Sequence, residues 1–184
     1  MRTEKQKMLA GEPYDPRDPE LVSERQRARS LCHQLNALDP GDAKRSRTLL
    51  ATLFGADTDA TVNQPVVCDY GYNIKLGANV YFNVSCVLLD VVPIVVGTNV
   101  LFGPGVHIYA ASHAMRAQDR RTGLENGHPV TIGDDVWVGG RVVVCAGVAI
   151  GAGSVIGAGS VVTRDIAGGV FAAGNPCRFV RTVA

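Results

Sequence analysis

Between Val130 and Val162 apolar and small residues recur in sixes. Ile132-Gly133, Val138-Gly139, Ile150-Gly151 and Ile156-Gly157 each set an aliphatic residue before a glycine, and Val144-Cys145 holds the place between them. A helix would space its apolar residues by three and four, and a lone strand would simply alternate. A six-residue period with small residues at fixed places predicts the hexapeptide coils of a parallel β-helix. Three hexads close one triangular coil, so Ile132 and Ile150 should stack, with aliphatic residues inward and small ones at the corners. The pattern begins at Ile74 and Leu76-Gly77 and runs through Phe82-Asn83, Leu88-Leu89, Val96-Gly97, Phe102-Gly103 and Ile108-Tyr109. Near Pro93 the count is two residues long, which implies a corner with two extra residues, as bulges supply elsewhere. After Ile108 it lapses. Met115 to Gly127 is polar, charged and unable to line a prism, so a loop over 114–129 is expected to leave the coil. Loops of this length in compact domains tend to carry function.

Residues 1–60 read differently. They hold ten of the eighteen Lys and Arg residues and only three glycines. Met8-Leu9-Ala10-Gly11 predicts a short helix ended by glycine, and Pro13, Pro16 and Pro19 predict a loop. Ser23 is the expected cap of a helix to about Leu38, with Leu21, Ala28, Leu31, Cys32 and Leu35 on one face. Asp42 should cap a further helix ending near Phe54-Gly55. Charges such as Glu24, Arg25, Arg27 and Arg29 read as a solvated face. The expected organisation is an N-terminal helical segment over 1–60 and a β-helix over 61–184. Gly168-Gly169 and Asn175-Pro176 turn the chain into a C-terminal tail.

Composition changes the picture only by exclusion. A length of 184 residues with 46% hydrophobic residues suits one domain with a real core. A net charge of +1 gives no bulk attraction to nucleic acid or membrane. The five cysteines (Cys32, Cys68, Cys86, Cys145, Cys177) lack metal-ligand spacing and read as small thiols in a reducing compartment. Met1-Arg2-Thr3-Glu4-Lys5 is too charged to lead a signal peptide, and no apolar run reaches spanning length. A cytoplasmic location is expected.

Chemistry is sparse. His113 stands where the last strand gives way to the loop, and an imidazole there could serve as general base for a hydroxyl, or be merely structural. His107 lies within the repeat, His128 at the loop's far end and His33 on a helix. Asn83 takes a place where a small residue is expected. It could relieve a left-handed corner or offer an amide donor to an oxyanion or a sugar hydroxyl. Asp69 and Asp90 sit near repeat edges, where turn duty is the plainer role. Trp137 stands at an inward or cleft-facing place. Gly139-Gly140 and Ala158-Gly159 leave bare edges against which an extended ligand could lie.

These residues together resemble the hexapeptide-repeat O-acetyltransferases, most closely the maltose and galactoside acetyltransferases. The resemblance is carried by EKQKMLAGEPY, RQRARSLCHQLN, CDYGYNIKLGANVYFN, PGVHIYAASH, VTIGDDVWVGGRVVV and AAGNPCR. It implies a left-handed parallel β-helix assembled as a homotrimer, which no spacing could reveal. It also implies acetyl-CoA as co-substrate, with no metal required, and a sugar hydroxyl of maltose or glucose type as acceptor. His113 takes the place of the base and Asn83 that of the transition-state donor. Asp69, Tyr81 and Asp90 would bind the acceptor. Trp137, Gly140, Ala158, Thr163, Arg164, Arg178 and Arg181 would follow the coenzyme. Other acceptors (galactoside, amino sugar, lipo-oligosaccharide, serine) stay open, as do a γ-type carbonic anhydrase and a non-catalytic scaffold.

Overall fold

The computed structural model describes residues 2–183. Three helices lead: α1 (Glu4–Leu9), α2 (Pro19–Asn36) and α3 (Ala43–Phe54). Thr3 and Gln6 close α1 with a capping box, and Asp42 caps α3 through the Arg45 N–H at 3.1 Å, with Gly55 left-handed at its end. The expected cap of α2 is corrected. Asp18 accepts from the Glu20 N–H at 3.0 Å and Pro19 opens the helix, because a first-turn proline has no intrahelical bond to lose. Ser23 therefore lies inside the helix.

Coils follow in threes. The first holds β1 (Thr61–Val62), β2 (Val66–Cys68) and β3 (Ile74–Leu76), and the second β4 (Tyr81–Phe82), β5 (Cys86–Leu89) and β6 (Ile94–Val96). The third opens with β7 (Leu101–Phe102) and β8 (His107–Tyr109). It then extrudes β9 (Ala111–His113), a short α4 (Ala117–Arg120) and β10 (Glu125–Gly127) before returning as β11 (Val130–Ile132). Next come β12 (Trp137–Val138), β13 (Val143–Val144) and β14 (Ala149–Ile150), then β15 (Val155–Ile156) and β16 (Val161–Val162). The chain ends with β17 (Val170–Ala173) and β18 (Arg178–Thr182). Three sheets form the faces of the prism, ordered β1-β4-β7-β12-β15-β17-β18, β2-β5-β8-β13-β16 and β3-β6-β11-β14. Pairing between successive coils is parallel; β9–β10 and β17–β18 are antiparallel.

Register shows where the count changes. Thr131↔Ala149, Trp137↔Val155 and Val143↔Val161 stand eighteen apart, and Ile132 stacks on Ile150 as expected. Thr61↔Tyr81, Val66↔Cys86 and Ile74↔Ile94 stand twenty apart. The two extra residues thus recur in successive coils at one corner, between the second and third faces. There Asp69–Asn73 stacks beneath Asp90–Pro93, and the hairpin β9–β10 leaves the prism from the same corner one coil later.

Inside the prism Phe82 stacks on Phe102 at 4.5 Å between ring centroids, close to the spacing of paired strands. Val144, Ile156 and Val162 continue the dry column. At the lower edge α2 buries Leu21, Ala28, Cys32 and Leu35, and the Asn36 amide binds both the N–H and C=O of Val66 at 2.9 Å. That cap satisfies an edge strand otherwise open to pairing. The Cys32 and Cys68 sulfurs meet at 3.6 Å in this layer. Among the described residues no helix is long and apolar enough to cross a membrane.

The corner between the first and second faces has no room to spare. A Cβ on Gly103 would fall 2.5 Å from the Gly140 nitrogen and 2.9 Å from the Gly139 carbonyl carbon. Both are backbone, so the coils would have to part. Gly103→Ala should lower stability by about 1–3 kcal/mol, read as a lower denaturant midpoint at unchanged slope. An unaltered midpoint would contradict the close stack.

Candidate active site

That tight corner is also the floor of a groove. Asn83, Gly103, Gly139 and Gly157 succeed one another up the prism, linked by Asn83 N–H to Phe102 O at 3.0 Å and Gly103 N–H to Val138 O at 2.8 Å. With no side chains on the glycines, a concavity of about 430 Å³ opens beside Gly139 and Gly157, walled by Trp137, Gly140, Ala158, Phe171 and Arg181. Trp137 points outward and is 55% exposed. The register of β17 with β18 sets Arg181 opposite Phe171, its guanidinium 5.6 Å from the ring centre. Arg164 and Arg178 lie apart, in a smaller hollow with Phe179, and exposed Thr163 lines neither. The seven positions expected along one coenzyme path thus divide between two hollows and one free surface.

Asn83 does not have the left-handed backbone considered for it. Ser85 has that role at φ 65°, and Asn83 Oδ1 accepts from the Val84 N–H at 2.8 Å. Its Nδ2 donor has no partner among the described residues. Tyr81 faces outward two residues earlier, its hydroxyl taking a bond from Asn63 at 2.7 Å.

His113 occupies a separate pocket of about 440 Å³, with Asp69, Tyr70, Arg25, Arg29 and Glu125 around it. Helical spacing sets Arg25 and Arg29 on one face of α2, toward the prism. Arg25 donates to the Tyr70 hydroxyl at 2.6 Å. Burial pushes the Tyr70 hydroxyl up to about 12, against the opposing pull of Arg25. Burial likewise raises the Asp69 carboxyl above its ordinary range, with Arg25 and Arg29 drawing it back. Asp90 does not line this pocket. It is wholly buried, and its Oδ1 accepts from the N–H groups of Asp69 at 3.0 Å and Tyr70 at 2.9 Å. It clamps the pocket wall from behind, while Oδ2 has no partner among the described residues. Sequence reasoning missed Arg25, Arg29 and Glu125, and gave Tyr70, like Asp69, turn duty at a repeat edge. The spacing of the two arginines was legible, but the surface they face was not.

His113 and Asn83 do not meet within one chain. Asn83 precedes β5, at one margin of the second face, and His113 lies beyond β8 at the other. A strand rises about 3.3 Å per residue, so the two stand roughly 15 Å or more apart. A larger, shallow hollow lies along the outer side of α3, at Lys44, Arg47 and Asp57, and holds neither residue.

A triangular prism with a bare glycine groove at one corner and a histidine on an extruded hairpin defines the class of hexapeptide-repeat transferases. Residues 7–57 match the maltose acetyltransferase hexapeptide capping motif, and residues 129–164 match the bacterial transferase hexapeptide (six repeats). The chain is similar to a maltose O-acetyltransferase from Clostridium difficile 630 (44% identity, TM-score 0.97, covering 100% of this chain and 98% of that one). It is similar to a hexapeptide-repeat acetyltransferase of Vibrio cholerae solved with acetyl coenzyme A (35%, 0.92, 100% of each). It is also similar to a galactoside acetyltransferase solved with coenzyme A (34%, 0.95, 100% and 92%). The chain belongs to the hexapeptide-repeat acetyltransferase family.

The clamp has a measurable consequence. Burial pushes the Asp90 carboxyl up to about 7, well above the usual range, against its bonds from the Tyr70 corner. A carboxyl that holds its proton more tightly folded than unfolded stabilises the fold fully below about pH 4 and loses that contribution as pH rises through about 7. Asp90→Asn keeps an acceptor oxygen for both N–H groups but cannot ionise. Between pH 5 and 8 the parent should lose about 2–3 kcal/mol relative to the variant, measured by urea unfolding at each pH. Parallel pH curves for the two proteins would rule this out.

Proposed function

We propose that this chain is an acetyl-CoA-dependent O-acetyltransferase acting on a sugar hydroxyl, with maltose or glucose-type sugars the first candidates, and that its active site forms between subunits of a homotrimer. The observation that carries the reading is the separation of Asn83 from His113. His113 lines its own pocket, whereas Asn83 stands on the glycine corner below the groove, and a second copy can bring that corner of one subunit to the pocket of the next. Largely apolar outer columns support such assembly: Val67, Val87, Val143 and Val161 on the second face, with His107 between Val87 and Val143, and Leu101, Trp137 and Val155 on the first. Of the Val142-Val143-Val144 run only Val143 faces outward. A closed ring buries such columns without leaving an open end.

The chemistry follows from the two halves. The pantetheine arm would lie along the glycine corner, where backbone is bare, with Trp137 beside it and Arg181 offering a planar fork to phosphate oxygens. Those contacts would bring the thioester toward Asn83. In the opposing pocket alternating arginines and carboxylates suit the vicinal hydroxyls of a sugar. His113 takes the proton as the acceptor oxygen attacks the thioester carbonyl carbon. The new C–O bond forms, Asn83 Nδ2 donates to the oxyanion, and the C–S bond then breaks. The imidazolium returns its proton to sulfur, releasing coenzyme A as the thiol. Among the described residues no cysteine lines the His113 pocket, and direct transfer needs no acetyl-enzyme. A galactoside acceptor is the second reading, supported by the likeness to a galactoside acetyltransferase.

A hydroxyl is too weak an acid to lose its proton unaided near neutrality. His113→Ala should therefore lower kcat by about 10²–10⁴ while acetyl-CoA binding persists, and His107→Ala and His128→Ala should stay near the parent. The assay is thiol release from acetyl-CoA over a panel of sugars. A folded His113→Ala protein keeping more than about a tenth of parent kcat, with chemistry rate-limiting, would remove His113 from this role.

A further inference from the structure

His113 has a fixed neighbour across the hairpin. The register of β9 with β10 sets Glu125 directly opposite His113, and side chains so paired lie on one face with Cβ atoms about 5 Å apart. Both line the same pocket. Glu125 is held from its other side by Tyr14, in the segment between α1 and α2. Tyr14 N–H donates to Glu125 O at 3.0 Å and Glu125 N–H donates to Tyr14 O at 3.0 Å. The Tyr14 hydroxyl, fully buried, donates to Glu125 Oε2 at 2.9 Å. Burial first, then the charge of Glu125, raises the Tyr14 hydroxyl far above its ordinary range, so it remains a donor.

The charges around His113 give this arrangement a purpose. Arg17, Arg25 and Arg29 all border the pocket and oppose any further positive charge there. Arg17 is paired with Asp15 at 2.8 Å, which leaves Asp69 and Glu125 as the pocket carboxylates facing Arg25 and Arg29. Burial favours the neutral form of Asp69, whereas Glu125 is held in place by the Tyr14 hydroxyl, which donates to it. We infer that Glu125 is a positioning residue for His113, its carboxylate stabilising the imidazolium that forms when the acceptor proton is taken, with Tyr14 fixing its place. Among the described residues no ion pair joins the two side chains, so the influence acts through space across the hairpin. The inference rests on His113 being the base.

The test is a double-mutant cycle on the whole 184-residue chain, with maltose as acceptor and thiol release as readout. Glu125→Gln keeps an oxygen for the Tyr14 hydroxyl and removes only the charge. It should lower kcat about 10- to 100-fold, leave KM for acetyl-CoA within about twofold and leave the thermal midpoint unchanged. In the His113→Ala background the same substitution should change kcat less than about twofold, because the group it serves is gone. Tyr14→Phe leaves the charge but frees it, and should give a smaller loss with the same dependence on His113. It keeps the question answerable should Glu125→Gln fold poorly. If His113→Ala is crippled while Glu125→Gln matches the parent, the inference fails and the base assignment stands. If Glu125→Gln costs as much without His113 as with it, the residue serves the fold or the acceptor, and the inference again fails. If His113→Ala itself stays active, both fall together.

Discussion

Each coil must set its inward aliphatic residues over those of the coil beneath, because the prism interior is the only dry space these short strands share. A two-residue strand buries little alone, and stability accrues from stacking one rung on the next. The requirement fixes the residue count per coil and demands glycine where backbones nearly touch. Gly103 between its neighbours at the first corner is the plainest case. Any surplus residue has to leave the prism where it harms the stack least, and in this chain the surplus leaves by one corner.

That corner becomes the pocket. The extra residues of the first two coils place Asp69 and Tyr70 against the buried Asp90, and the larger insertion of the third coil delivers His113 and Glu125 beside them. The N-terminal helices then add Arg25 and Arg29 from outside and tie the hairpin down through Tyr14. The opposite corner, kept strictly regular, becomes the groove. Regularity there and irregularity here are two consequences of one packing rule, and the proposed transfer needs both, from neighbouring subunits.

Much of this was legible in the residues. The six-residue period gave the coil, the stack of Ile132 on Ile150 and the extruded loop, because periodicity reports directly which side chains face inward. The Asp42 cap and Gly55 end of α3 followed from local chemistry alone. Ser23 misled because Pro13, Pro16 and Pro19 look alike in sequence, although only the last opens a helix. Asp90 looked like a pocket residue because distance from the surface is not written in a turn. Arg25 and Arg29 read as solvated because a charged helix face gives no sign of what it faces. The pairing of Glu125 with His113 spans a polar loop with no period, so only the folded register reveals it.

The central claim is that Asn83 and His113 act together only across a subunit boundary. Two inactive variants, Asn83→Ala and His113→Ala, can be unfolded together, refolded as a mixture and assayed for thiol release. If the site is shared, a mixed ring contains an interface with both residues intact, and activity should return to about a quarter of the parent, the share expected for random mixing in closed trimers. If the mixture stays as inactive as either variant alone, with mixed trimers demonstrated by mass, the shared site is contradicted.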